Sequence, residues 1–291
     1  MKDSVVLGVD IGGSHLTAAL VMENFQEFVV GSNTRVRVNS SGSAEEILNT
    51  WSTVISEIFK KYDVTEKKIG IAFPGPFDYE NGISLIKNLD KYESLYKLNV
   101  KELLGLQLQI PTSNIRMMND AACFLRGEVY HGAARGYQHV IGITLGTGTG
   151  TAIHHQNITE DANLGPSPFM DSIADEYFST RWFVRQYAER SGNTVHDVKS
   201  LSELFAVEES VKEIFSEFVK NLSIFLKAFV KRENPELIVM GGNIAQCAGL
   251  FLSDLEYSLK SEGVTIPIVQ AQLGENAAIL GAASLFEQIE T

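Results

Sequence analysis

The sequence predicts an α/β protein built on an internal structural duplication. A strand–glycine turn–strand pattern occurs twice, around Gly12-Gly13-Ser14 and around Gly146-Thr147-Gly148, about half the chain apart. Each copy is followed by an amphipathic helix and then by a short, continuously apolar strand. The length of 291 residues exceeds one small core and fits two domains of ordinary size. The halves share this order of elements and no visible sequence.

The first strand spans Ser4–Asp10, directly after Met1-Lys2-Asp3, and after the glycine turn the pattern predicts strands over Leu16–Met22 and Glu27–Val38. A helix follows from Ser43 to Tyr62. Ser43 is its N-cap and Glu46 holds the capping-box position, while Ile47, Trp51, Val54, Ile55, Ile58 and Phe59 share one face. A buried strand over Lys68–Phe73 runs into Pro74-Gly75-Pro76. A short helix beginning near Val100, capped by Asn99, leads to a strand over Ile115–Met118. Asn119-Asp120 then opens a helix to about His131.

The second half begins with a strand over Gln138–Leu145, its glycine turn, and a strand over Thr151–His155. After an irregular insert, helices are predicted over Met170–Arg190 and Leu201–Phe205. A long helix, about Glu208–Arg232, places Val211, Ile214, Phe215, Phe218, Leu222, Phe225 and Phe229 on its core side. A buried strand, Glu236–Met240, reaches Gly241-Gly242. A helix over Asn243–Lys260, a strand over Ile266–Gln270 and a terminal helix over Asn276–Gln288 complete the order.

Composition narrows the function. Apolar residues make up 44% and the mean hydropathy is +0.01, as in soluble globular proteins. No apolar run approaches a membrane span, and the opening residues carry no signal or transit pattern, so a cytoplasmic protein without membrane association is expected. A net charge of −12 argues against a nucleic-acid partner. Cys123 and Cys247 fit reduced thiols, and Cys and His are too sparse for a structural zinc site. His154 and His155, at a strand end, fit a surface or turn role.

Glycine turns bearing small hydroxyls let backbone N–H groups approach a polyphosphate. Asp10-Ile11-Gly12-Gly13-Ser14 lies between two strands, which excludes the dinucleotide fingerprint, and no Gly-x-x-x-x-Gly-Lys-Ser/Thr occurs. Asp10 could position a hydrated Mg²⁺. An ordinary hairpin with an acidic strand end would look the same, and the second turn, Leu145–Thr151, favours the phosphate reading. Asp120, just past an apolar strand, suits a base that takes the proton of an acceptor hydroxyl, and Asn119 could bond a neighbouring hydroxyl. A helix cap would explain Asp120 equally well, and the two roles are compatible.

With these residues in place, the chain resembles the ROK family of sugar kinases and related repressors, in the hexokinase/actin/Hsp70 superfold, nearly end to end. Asp10–Gly13 matches the family's first phosphate segment and Gly70–Asp78 its Gly-x-x-x-Pro-Gly-Pro-x-Asp stretch. Asn88-Leu89 is similar to its sugar-contacting Asn-Leu. Asn119-Asp120-Ala121, followed by Gly127-Glu128, is similar to its catalytic segment. Leu145–Thr151, with Gly146, Thr147 and Gly148, resembles the second phosphate segment, and Gly241-Gly242 the adenosine-side glycines. The resemblance implies two actin-like (ribonuclease H-like) lobes flanking a cleft. These are expected over 1–118 with 276–291, and over 119–275 with a sugar-side insert and a dimer surface. It also implies ATP and Mg²⁺, a hexose or N-acetylhexosamine acceptor phosphorylated at its 6-hydroxyl, Asp120 as base, and a homodimer.

The departures lie on the sugar side. The family's Glu-x-Gly-His is Asn163-Leu164-Gly165-Pro166 here, and the Cys-rich zinc loop after it is missing. Asp175-Glu176-Tyr177-Phe178-Ser179 resembles the family's Glu-x-Tyr-x-Ser, placing Asp175 at the sugar-contacting Glu. A carboxamide at 163 loses charge-assisted hydrogen bonds. Asn88, Asn119, Asn163 and Asp175 are thus the candidate sugar residues. The alternative is a catalytically weak sugar sensor. Three residues before the first strand leave no helix-turn-helix to be expected. Arg181 and Trp182, beside the insert, could be pocket wall or dimer contact.

Overall fold

The computed structural model describes residues 5–22 and 27–287. Ser4 and Gln288, the outer ends of the first strand and last helix expected from sequence, lie outside them, as does the opening Met1-Lys2-Asp3. The described residues fall into two units, one within Met1–His131 and Glu275–Thr291, the other Gly132–Gly274. The helix that carries Asp120 therefore belongs with the first unit, which the sequence expectation ended at 118.

In the first unit, β1 (Val5–Ile11) and β2 (His15–Met22) form an antiparallel hairpin, with Asp10 opposite Thr17. After them come β3 (Thr34–Arg37), α1 (Ala44–Lys61), β4 (Ile69–Phe73), a small hairpin of β5 (Phe77–Asp78) and β6 (Ile83–Ser84), α2 (Val100–Leu108), β7 (Ile115–Asn119) and α3 (Asp120–His131). The sheet order is β3-β2-β1-β4-β7, and β1, β4 and β7 run parallel. Asp10 (β1), Phe73 (β4) and Asn119 (β7) thereby reach the same sheet edge, where the carboxyl ends of parallel strands present ligand sites.

The strand expected over Glu27–Val38 is shorter. Phe28 makes only a bridge to Val21, Gly31 turns the chain at φ +73°, and Leu20 donates its N–H to the Ser32 hydroxyl at 3.0 Å instead of to a strand partner. The α1 start is as predicted, since the Ser43 hydroxyl accepts the Glu46 N–H at 3.2 Å. Ser43→Ala should cost about 1 kcal/mol, read as a lower thermal midpoint.

The C-terminal helix, Asn276–Ala283, lies against β1, β4 and α3 at backbone-contact distance. A Cβ on Gly8 would sit 2.3 Å from the Ile279 carbonyl oxygen. On Gly70 it would sit 1.9 Å from that of Ala282, and on Gly127 2.1 Å from that of Ala277. Glycine at these positions makes the packing possible.

In the second unit, β8 (His139–Leu145), β9 (Thr149–His155) and β10 (Ile158–Asp161) form an antiparallel meander. An insert follows, then α7 (Glu209–Glu233), β13 (Leu237–Gly241), α8 (Leu252–Ser261) and β14 (Ile268–Gln270). The insert comprises the hairpin β11 (Pro168–Phe169) and β12 (Ser172–Ile173), then α4 (Asp175–Phe178), α5 (Thr180–Ser191) and α6 (Val198–Ser202). The order β10-β9-β8-β13-β14 repeats that of the first sheet, including the switch from antiparallel to parallel pairing. The duplication predicted from pattern is thus present strand for strand. The α7 phenylalanines are core, with Phe218 4.8 Å from Phe183 between ring centroids.

Four helices differ from expectation, the terminal one stopping at Ala283 before a 3₁₀ turn over Ser284–Phe286. Met170–Arg190 is not one helix, because the β11–β12 hairpin takes its start and an extended Ser179 (φ −103°, ψ 162°) divides α4 from α5. The helix expected over Leu201–Phe205 is α6 and begins earlier, where Asp197 accepts the Ser200 N–H at 2.7 Å. Asn243–Lys260 splits into a 3₁₀ segment, Ile244–Leu250, and α8, with Phe251 (φ −143°) between them. Among the described residues no helix is long and apolar enough to cross a membrane.

Candidate active site

The first glycine turn is closed by the Gly12 N–H, which donates to the His15 carbonyl at 2.9 Å. Among the described residues the amides of Gly13 and Ser14 donate to no backbone or side-chain acceptor. A Cβ on Gly12 or Gly13 would meet nothing closer than 3.6 Å. Neither glycine has positive φ, so the turn does not need glycine for its own shape. What glycine leaves is an open cradle with free donors, the arrangement an anion needs.

Asp10 and Asp120 stand at this edge. Asn119, not Asp120, caps α3, its Oδ1 accepting the Ala121 and Ala122 N–H groups at 2.8 and 3.1 Å. Asp120 is the first helical residue and accepts the Ala121 N–H at 2.9 Å. Asn119 also donates from Nδ2 to the Tyr79 hydroxyl at 3.3 Å, and Tyr79 donates to the Phe73 carbonyl at 2.9 Å. Burial pushes the Asp10 carboxyl up to about 7, with Asp120 adding to the rise and Arg35 opposing it. Burial likewise raises Asp120, opposed by Lys91. Desolvation thus makes each carboxyl take a proton at a higher pH than a solvated one does.

Carboxyls that are protonated more readily folded than unfolded make the folded state bind extra protons. For Asp10 the stabilising contribution is full below about pH 4 and is lost as pH rises through about 7. The metal-free protein should therefore lose thermal stability over that window, and Asp10→Asn should flatten the slope. Thermal midpoints measured across this range check both.

Asn88 is exposed, in the left-handed region at φ +60°, on a strap that Glu93 ties by accepting the Leu89 N–H at 2.9 Å. Tyr92, buried on the same strap, donates its hydroxyl to the Gly12 carbonyl at 2.6 Å. Asp78 accepts from the Asn81 backbone and side chain at 3.0 and 2.8 Å, shaping the β5–β6 turn. Tyr79, Lys91 and Tyr92 are site residues that the sequence reading missed. No local pattern marks them, since each acts through a contact with a distant segment.

The second unit has its own glycine turn. The Gly146 N–H donates to the Gly148 carbonyl at 3.0 Å, and Thr180 donates its N–H and hydroxyl to the Gly146 carbonyl at 2.7 and 3.0 Å. A Cβ on Gly146 would meet nothing within 4 Å, and the Thr147 and Gly148 amides donate to nothing among the described residues. Gly242, at φ +88°, lies so near Leu145 that a Cβ would be 2.3 Å from its carbonyl oxygen, which brings Gly241-Gly242 beside this turn. Asp175 accepts the Thr149 N–H, and its own N–H donates to the Gly165 carbonyl at 2.9 Å. Its carboxylate is thus engaged in holding the phosphate-type turn. The hydroxyls of Thr149 and Ser179 are buried and unpartnered. Asn163 is exposed at φ +48°, its N–H donating to Asp161 at 2.7 Å.

Two assignments of the sequence reading change. Trp182 is only 2% exposed and packs edge-to-face on Phe183 at 5.0 Å, so it is core and neither pocket wall nor dimer contact. His154 is buried and hydrogen-bonded to Thr159 at 2.7 Å, so it is not at the surface. His155 is exposed beside His139.

Two sheets of one strand order, each opening on a hairpin with a glycine cradle, define an actin-like α/β protein. The chain belongs to the ROK family, whose model matches residues 6–165 and 173–289. It is 23% identical to a glucokinase of Thermotoga maritima over 97% of both chains. It is 24% identical to an N-acetyl-D-glucosamine kinase of Haemophilus influenzae over 96% of this chain and 98% of that one. A ROK family glucokinase from Streptomyces griseus, solved in complex with glucose and AMPPNP, has the same fold. Its TM-score is 0.77 at 22% identity, covering 97% of this chain and 99% of that one.

Proposed function

We propose that this chain transfers the γ-phosphoryl group of ATP to the 6-hydroxyl of a hexose or N-acetylhexosamine, with Asp120 as general base. The observation that carries this reading is the shared edge of the first sheet, where a partly buried, desolvated carboxylate stands beside a second one and an open amide cradle. The kinase names of the curated relatives, for glucose and for N-acetylglucosamine, support the acceptor class.

The acceptor oxygen forms its bond to the γ-phosphorus as the bond to the β–γ bridging oxygen breaks. ADP leaves with that electron pair, and the hydroxyl proton passes to Asp120. Asn88 and Asn119 would bond sugar hydroxyls, Asn119 through the amide hydrogen not given to Tyr79. Gly12, Gly13 and Ser14 would receive the transferring phosphate. Gly146, Thr147 and Gly148 would receive the remaining phosphates and Gly241-Gly242 the adenosine side. The oxygen donors and charge of Asp10 suit a hydrated Mg²⁺, which supplies charge neutralisation when bound. Asn163 and Asp175 would face the sugar, with the Asp175 carboxylate partly committed to Thr149. We further propose a cytoplasmic homodimer.

A coupled assay of ADP release over hexoses, N-acetylhexosamines and fructose tests this reading. Turnover of at least one sugar supports it. ATP binding with no sugar turned over would favour the sensor, the reading that Asn163, Pro166 and the engaged Asp175 bring forward.

A further inference from the structure

Lys91 lies at the first unit's site with no hydrogen bond or salt bridge among the described residues. Its position is nonetheless fixed. The adjoining Tyr92 is fully buried, its N–H donates to the Ser40 carbonyl and its hydroxyl to the Gly12 carbonyl, both at 2.6 Å. On the other side, the Asp90 N–H donates to Glu93 at 3.4 Å. The strap between these anchors lays the Lys91 stem along the glycine turn, with Cδ 3.9 Å from where a Cβ of Gly13 would stand. The ammonium is two bonds further out, and its charge acts on Asp120.

The charge balance of this edge calls for such a group. Asp10 and Asp120 are both anionic when ionised, and a polyphosphate brought to the Gly13 and Ser14 amides adds more negative charge. Arg35, the other cation acting on the pair, is already held by Glu275 at 2.9 Å. An unpaired ammonium on a long stem, beside free amides, has the chemistry of a phosphate ligand acting as a point charge.

We propose that Lys91 is a catalytic residue of the phosphoryl transfer, its ammonium contacting the transferring phosphate between the Gly12-Gly13-Ser14 turn and Asp120. This rests on the kinase reading above and adds a residue to it. Removing the ammonium should weaken a triphosphate specifically, because a diphosphate lacks the group it touches.

The test is calorimetric titration of wild type, Lys91→Met, Lys91→Gln and Lys91→Arg with AMPPNP and with ADP, each with Mg²⁺. Lys91→Met and Lys91→Gln should bind AMPPNP about tenfold or more weakly while ADP affinity changes less than about twofold, and Lys91→Arg should recover most of the loss. With the preferred sugar, kcat should fall in parallel while the sugar KM stays within about threefold. Wild-type-like AMPPNP affinity in folded Lys91→Met or Lys91→Gln overturns the inference and leaves the kinase reading standing. Equal losses for AMPPNP and ADP do the same. Wild type that binds neither nucleotide overturns both.

Discussion

Asp120→Asn is expected to lower kcat by about 10²- to 10⁴-fold, the range a positioned general base contributes, with the sugar KM changed only a few-fold. The carboxamide keeps the size of the side chain, and its oxygen can still accept the Ala121 N–H that Asp120 accepts at 2.9 Å. Because the cap of α3 is Asn119, the helix start survives the change. What is lost is the capacity to take a proton. The pH dependence should follow. Burial raises the Asp120 carboxyl, Lys91 opposes that rise, and neighbouring Asp10 is pushed up to about 7. As pH falls, Asp120 takes up its proton at a higher pH than a solvated carboxylate would, and kcat drops on the acid limb. Steady-state kinetics across pH check both statements, and near-wild-type turnover by Asp120→Asn would move the base elsewhere.

Gly70→Val is expected to have the largest effect on stability. The first added carbon would stand 1.9 Å from the Ala282 carbonyl oxygen and 2.4 Å from its carbon, and both are backbone atoms of the C-terminal helix. That helix cannot simply tilt away. Gly8 in β1 and Gly127 in α3 pack against the same helix at Ile279 and Ala277, where an added Cβ would stand 2.3 and 2.1 Å from the carbonyl oxygens. Displacing it opens gaps against β1, β4 and α3 together. A loss of roughly 3 kcal/mol or more follows, at the upper end of what overpacking costs. At about 2–4 °C per kcal/mol for a chain of this size, the thermal midpoint should fall by about 6–12 °C. Calorimetry decides it, and an unchanged midpoint would show that the helix yields without cost.

The residues whose roles are local were legible in the chain. Ser43 and Asn99 cap helices from within their own turn, the α1 and α7 faces follow a helical period, and the glycine turns sit between strands whose apolar runs are continuous. Periodicity and capping are short-range physics, so a sequence displays them directly, and two copies of one order displayed the duplication. The Asp10–Ser14, Asn119-Asp120 and Leu145–Thr151 segments stood out for the same reason.

Other features belong to contacts between distant segments. Gly31 turns the chain and Ser32 bonds across to Leu20, which shortens an expected strand, and the Pro168–Ile173 hairpin replaces the first turns of an expected helix. Asp175 is occupied by the Thr149 amide, and Trp182 is core. The sequence by itself determined the α/β class, the duplicated order and the main acidic and glycine positions. Tertiary structure alone decided that Gly8, Gly70 and Gly127 serve one helix contact, and that Tyr92 fastens Lys91 to the first turn. The reason is physical, since a glycine needed for close approach and a lysine held by its neighbour's hydrogen bond depend on atoms far away in the chain.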